Sequence, residues 1–232
     1  MPSKRTRLVE TIKSEQTQEL LANGADALID TLSDSDIVGN IPFVGTVLKT
    51  YQAAQGIRER MLVKKLANFL KYPSQMTEEE KLKFSTEFED PSKEEEFGEQ
   101  MLMLIEQSED TEKPKIIGRL LVAHVKGHFD RPTFMRLCKM IDRAYVEDFT
   151  YLARMGKNNN RYDGDVEQSL FSAGFLRMDT SNVGINVGGI TINGDTRYVR
   201  TNYGTWVVRL GITKGSIPAP TPKLRDTLFK FS

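Results

Sequence analysis

The sequence predicts a mainly α-helical protein, with a multi-helical body followed by a small α+β module, and three observations support this. Apolar residues recur every three or four positions through the first two-thirds of the chain. Beyond it lie a short helical pattern, a glycine-rich stretch that alternates with period two, and a final helical pattern. Three consecutive asparagines between Gly156 and Gly164 separate the two parts. The predicted organisation is a helical domain over 1–155, a linker over 156–164, a winged-helix-like module over 165–212 and a proline-rich tail over 213–232.

Composition excludes several classes of protein. The chain has 232 residues and a formal net charge of zero, so no global field attracts it to nucleic acid or anionic lipid. Its single cysteine, Cys138, cannot form an internal disulfide or an all-cysteine metal site. The basic N-terminal stretch is not followed by the apolar segment of a secretory signal. We therefore expect a cytoplasmic protein.

The stretch "DIVGNIPFVGTVLKTYQ", residues 36–52, carries no charge between Asp36 and Lys49. Proline suits the first turn of a helix, so Pro42 places a helix start near residue 40, and the apolar pattern predicts that this long helix runs to about 72. The uncharged run of 12 residues is shorter than the roughly twenty of a membrane-spanning helix. We expect this segment to face the core or a protein partner, and the alternative is membrane insertion after a trigger. The partner or membrane surface would comprise Ile41, Phe43, Val44, Val47 and Leu48.

Capping signals place the next helices. Thr77 with Glu80, and Ser92 with Glu95, have the spacing of a capping box, in which two side chains satisfy free N–H groups at a helix start. A further helix is expected to begin near 111 or 112. Asp130 is predicted to cap the helix after it, with a proline in its first turn.

The C-terminal pattern has the layout of a winged helix. A helix over "DVEQSLFSAGFL" is followed by a predicted hairpin in "GINVGGITING", a strand "TRYVR" and a helix capped by Thr201. Acidic residues on the first of these helices would repel phosphates. We therefore expect a protein-binding or packing version of the module. The alternative is DNA binding, with Arg197, Arg200 and Arg209 as the nucleic-acid contacts.

No pattern indicates an enzyme, a metal site or a cofactor. His124 and His128 have a spacing that can place two imidazoles on one helix face, but "HVKGH" lacks the glutamate of a zinc helix, and Gly127 breaks the helix there. We expect a helix-end pair that faces solvent or is partly packed, and a buried, inert thiol at Cys138. The glycine-rich stretch lacks the lysine and hydroxyl of a phosphate-binding loop.

Residues 101–152 contain a helix, the turn "KGHFDRPTF" and a second helix ending in an Ile-Asp-Arg and aromatic run. This stretch resembles the helical modules of TerB-like proteins, which are linked to tellurite resistance and phage defence. The stretches "IPFVGTVLKTYQAAQGIRERMLVKKLANFL" and "RYVRTNYGTWVV" resemble bacterial proteins of abortive-infection neighbourhoods. The resemblance implies TerB-like helices over about 92–152 and a bacterial, cytoplasmic, non-enzymatic role in stress or phage defence. Only Asp130 and Asp142 lie near the turn, so no metal site is carried over.

Three functions stay open at this point. The first is a non-enzymatic interaction protein, a helical scaffold that senses or adapts and acts through a protein partner or by self-association. The second is a membrane-acting effector that uses residues 36–57. The third is a DNA-binding regulator that uses the C-terminal module. The sequence identifies no small-molecule substrate.

Overall fold

The computed structural model describes residues 8–22, 57–88, 90–156, 162–179 and 197–220. These residues are mainly helical and include a two-stranded antiparallel sheet. In chain order the elements are α1 (Leu8–Lys13), α2 (Glu15–Ala22), α3 (Ile57–Leu70), a 3-10 turn (Pro73–Gln75), α4 (Glu78–Thr86), α5 (Pro91–Gln107), α6 (Glu112–Val125), α7 (Arg131–Arg143), α8 (Asp148–Arg154), α9 (Gly164–Ser172), β1 (Leu176–Asp179), β2 (Arg197–Arg200), α10 (Asn202–Trp206) and a π-helix (Val207–Ile212).

Helix α6 is the centre of the structure. Twelve of its residues are buried, on every side of the helix, because the stretch "IIGRLLVAHV" is apolar nearly all round. The helix packs most extensively against α3 and against the π-helix, and also contacts α7. One hydrophobic cluster runs through these elements from Leu8 to Ile217, so the C-terminal module shares a core with the helical body.

Two glycines permit the close approach of neighbours to α6. A Cβ atom at Gly118 would lie 2.1 Å from the carbonyl oxygen of Phe69 in α3. On another side, a Cβ atom at Gly211 of the π-helix would lie 2.8 Å from a methyl carbon of Ile116. Atoms this close cannot coexist, so the packing of α3 and the π-helix on α6 requires a residue without a side chain at both positions.

Local capping explains where several helices begin. Thr77 and Glu80 form the predicted capping box, and Asp130 accepts a hydrogen bond from the N–H of Thr133, as predicted. The prediction of Ser92 as the N-cap of α5 is wrong. Asp90 occupies that position and accepts from the Ser92 N–H, because Pro91 suits the first turn and moves the helix start two residues earlier.

The C-terminal module begins with α9 and contains the antiparallel pair of β1 and β2, in which Leu176 lies opposite Arg200 and Asp179 opposite Arg197. Strand β2 and the Thr201 cap agree with the sequence prediction. Strand β1 was not predicted, because "LRMD" has neither β-branched residues nor a clear alternation. The predicted hairpin over 184–194 lies outside the described residues, and so does the chain between the two strands.

Polar contacts join this module to α8. The Tyr151 hydroxyl donates to Glu167 at 2.7 Å, and the Ser169 hydroxyl donates to Asp148 at 2.6 Å. Burial, together with the neighbouring Glu167 carboxylate, raises the pKa of Tyr151 to about 12. The hydroxyl therefore remains a hydrogen-bond donor to Glu167 at neutral pH.

The predicted long helix over 40–72 is described from residue 57 onward. Helix α3 ends at Leu70, close to the predicted end, and Pro73 begins the 3-10 turn. Residues 36–56, with most of the apolar segment, lie outside the described part of the chain. Among the described helices, none has the length and apolar character needed to cross a bilayer.

We expect Gly118→Ala to lower the free energy of unfolding by about 2 kcal/mol or more, because the added methyl group meets a main-chain carbonyl that cannot rotate away. Urea denaturation measures the change. Gly164→Ala is the matched control, since its Cβ atom would meet only the hydroxyl of the exposed Tyr162 side chain, at 3.2 Å. An equal loss in both variants would contradict the role assigned to Gly118.

Candidate functional site

The site is built around Arg119, a charged residue in the middle of α6 that is only 3% exposed. Its guanidinium group donates from Nε to the carbonyl of Leu210 at 3.0 Å, from Nη1 to Gly215 at 3.1 Å and from Nη2 to Thr213 at 2.6 Å. The same group lies over the ring of Tyr72, 4.7 Å from its centre. A buried charge needs such partners, and helix ends leave carbonyls without partners. Arg119 therefore caps the end of the π-helix from within the core.

Residues 213–218 continue from the π-helix as an irregular segment, which we name the strap. Lys126 donates to the carbonyl of Ile217 at 3.0 Å, and His128 Nε2 donates to that of Pro218 at 2.7 Å. Burial lowers the pKa of His128, and the neutral ring with a hydrogen on Nε2 can still make this contact. Gly215 has a φ of +110°, which favours glycine. Side chains of the helical body thus donate hydrogen bonds to main-chain carbonyls of the strap, and the buried side chain of Ile217 packs in the core.

A groove of about 840 Å³ lies between the strap and the helices. This volume is in the range of small-molecule sites. Its walls come from the end of α3 and the turn after it, from α4, α6 and α8, and from the π-helix and strap. The lining residues are Lys71, Tyr72, Gln75, Met76, Glu80, Glu112, Lys115, Ile116, Arg119, Val122, Lys126, Val146, Phe149, Thr150, Gly211, Ile212, Lys214, Gly215, Ser216 and Ile217.

Positive charge exceeds negative charge by three in this lining, which has five cationic side chains and two carboxylates. Both carboxylates are already paired, Glu112 with Lys115 at 3.2 Å and Glu80 with Lys126 at 3.3 Å. Among the described residues, the polar contacts of the Arg119 guanidinium group are with neutral carbonyls and the Tyr72 ring. Within the described part of the chain, the ammonium groups of Lys71 and Lys214 have no carboxylate partner. The groove therefore combines apolar walls with uncompensated positive charge.

The two histidines have structural contacts. The ring nitrogens of His124 lie 2.9 Å from the Phe129 carbonyl oxygen and 2.9 Å from a Glu87 carboxylate oxygen. Both imidazoles are buried, whereas we expected a pair that faces solvent or is partly packed. The described residues contain no group of three side chains that could hold a metal ion. Cys138 is fully buried, and burial raises the pKa of its thiol.

The three arginines proposed for nucleic-acid binding do not line the groove. Arg200 is half-buried and donates to the carbonyls of Leu152 and Met155 at the end of α8. Its guanidinium group therefore joins β2 to the helical body. Arg197 and Arg209 are exposed. DNA binding through these residues stays a prediction.

The proposed partner or membrane surface, Ile41, Phe43, Val44, Val47 and Leu48, lies outside the described residues. The chain is described again from Ile57, which is 84% exposed, and Met61 is exposed one turn later. Residues four apart share a helix face. The start of α3 thus presents an apolar face to solvent.

Sequence reasoning missed Lys71, Arg119 and Lys214. One signal was available for Arg119, because it is a charged residue inside the otherwise apolar run "IIGRLLVA". Such a position requires a compensating partner. Neither lysine has a comparable signal, since each lies just beyond the end of a helix, where a charged side chain is ordinary.

No protein-family model, no curated protein and no solved structure matches this chain.

We expect Arg119→Lys to lower the free energy of unfolding by about 3 kcal/mol. A single ammonium group cannot reach all three carbonyls that Arg119 satisfies, and these carbonyls are buried or half-buried, so losing their donor is costly. Trypsin should also cut faster after Lys214 in the strap. Arg136→Lys, an exposed change on α7, is the control. Unchanged stability and unchanged cleavage would show that Arg119 does not anchor the strap.

Proposed function

We propose that this chain is a non-enzymatic sensor or adaptor that binds a negatively charged small ligand in the groove and acts through a protein partner. One observation carries the proposal. Three cationic side chains, Lys71, Arg119 and Lys214, line the groove without a carboxylate partner among the described residues.

The charge of the groove is local, because the whole chain has a formal net charge of zero. Low-dielectric walls in a cleft strengthen the field of the charges that line it. The apolar lining here includes Ile116, Val122 and Phe149. Lysine ammonium groups bind phosphate or carboxylate as compact point charges. A ligand that carries such groups would offset the repulsion among the cations and gain apolar contact.

The pairing and burial of the carboxylates, histidines and cysteine support binding without catalysis. Both carboxylates in the lining form ion pairs with lysines, and neither histidine belongs to the lining. Cys138 is enclosed in the core. A general base or nucleophile must reach its substrate, which favours binding over catalysis for this groove.

The partner-facing part of the proposal is the apolar segment around Phe43, continued by the exposed face of α3 at Ile57 and Met61. The winged-helix-like module has a packing or protein-binding role in this proposal, since Arg200 is engaged with main-chain carbonyls. The TerB-like resemblance of residues 101–152 is what supports a role in a bacterial stress response or phage defence. That biological setting depends on the resemblance alone.

Isothermal titration calorimetry on the full chain tests ligand binding, with inorganic tripolyphosphate and citrate as separate probes at constant ionic strength. We expect at least one of them to bind. The double variant Lys71→Glu with Lys214→Glu should weaken that binding by at least about tenfold, because it reverses two of the three uncompensated charges.

The matched control is Lys83→Glu with Lys139→Glu, which makes the same change in net charge at exposed positions outside the groove. This control should bind like the unmodified protein. Binding of neither probe, or an equal loss of binding in both double variants, would overturn the proposed function.

A further inference from the structure

We infer that the ligand of the groove carries two or more negative charges and fastens the strap, residues 213–218, against the helices. This inference rests on the proposed function, since it names the ligand class and the response of the same site. It adds that ligand binding and the position of the strap are coupled.

The cations of the groove come from two sides. Lys214 belongs to the strap, whereas Lys71 follows α3, and Lys115 and Arg119 belong to α6. A ligand with one charged group can compensate only part of this set. A ligand with two or more anionic groups can lie between the strap and the helices and contact cations of both.

Electrostatics gives the direction of the coupling. Without a ligand, the Lys214 ammonium group shares the cleft with four other cations and two carboxylates, and the carboxylates are paired with two of those cations, Lys115 and Lys126. Like charges repel, so repulsion between Lys214 and the other cations weakens the hold of the strap when no ligand is bound. A polyanion between Lys214 and the cations of the helices replaces this repulsion with attraction to both sides. The strap is therefore held more firmly when the ligand is bound.

The side chains that hold the strap still have hydrogen-bond donors that the strap does not use. Arg119 has five N–H donors, and the strap and π-helix occupy three of them. The Lys126 ammonium group contacts Ile217 and Glu80, which leaves one of its three hydrogens. The anion can thus add hydrogen bonds at the anchor points without displacing the carbonyls of the strap.

The strap is suited to respond because its hold on the body is limited. It is irregular, its Lys214 and Ser216 are exposed, and its own side-chain contribution to the core is Ile217. Segments with few buried apolar contacts open at low free-energy cost.

Hydrogen–deuterium exchange of the full chain tests the coupling, with saturating tripolyphosphate against sodium chloride of equal ionic strength. We expect exchange of the Thr213 amide, which donates to the Val208 carbonyl at 3.0 Å where the strap begins, to slow by at least about fivefold, because ligand binding to the closed form reduces opening. Peptides of α7 serve as the internal reference. Acetate, which has a single charge, should give no such protection.

The variant Lys214→Gln separates binding from fastening. It is an exposed change that removes the only cationic side chain of the strap. Tripolyphosphate should still bind to it, with reduced affinity, but should no longer slow strap exchange. Lys139→Gln, exposed and outside the groove, should retain full protection.

Binding of tripolyphosphate without slower strap exchange would overturn the inference and leave the proposed function intact. Faster exchange would also overturn it, because the anion would then compete with the strap for the same donors. Equal protection in Lys214→Gln would show that Lys214 does not fasten the strap. Failure of calorimetry to detect binding of either tripolyphosphate or citrate would remove the proposed function, and the inference with it.

Discussion

The buried guanidinium group of Arg119 is the interaction on which the C-terminal half of this architecture depends. A charge in the central helix that is only 3% exposed must be satisfied mainly by protein groups, and three main-chain carbonyls of the π-helix and strap do so. The same contacts bring a segment more than ninety residues away in sequence across α6. One electrostatic requirement of the core thus creates both the strap and the cleft beside it.

Close packing around α6 supplies the other wall of the groove. Gly118 lets α3 approach until the helices meet through main-chain atoms, and this brings the end of α3, with Lys71 and Tyr72, beside the end of the π-helix. Tyr72 then covers the face of the Arg119 guanidinium group. A larger residue at Gly118 would separate the two helices, and the lysine and tyrosine would move with α3. The packing of α3 on α6 and the groove are therefore parts of one arrangement.

Net charge says little about such a site. The chain is neutral overall, yet the fold gathers five cationic side chains and only two carboxylates in one cleft. Many of its other charges lie on exposed helix faces, where solvent screens them, whereas those in a cleft with apolar walls are screened less. The positive charge of the groove is consequently a matter of placement rather than composition.

The sequence by itself determined what depends on neighbours along the chain. Helical periodicity, the Thr77 capping box, the Asp130 cap and the Thr201 cap are local, since each involves residues within one or two turns. The same local logic failed between Asp90 and Ser92, where two capping residues compete and Pro91 decides. The existence of β1 depends on tertiary structure alone, because its residues form a strand through main-chain pairing with β2. Tertiary structure also decided the groove, because Lys71, Arg119 and Lys214 are far apart in sequence and converge only when α3, the π-helix and the strap pack on α6.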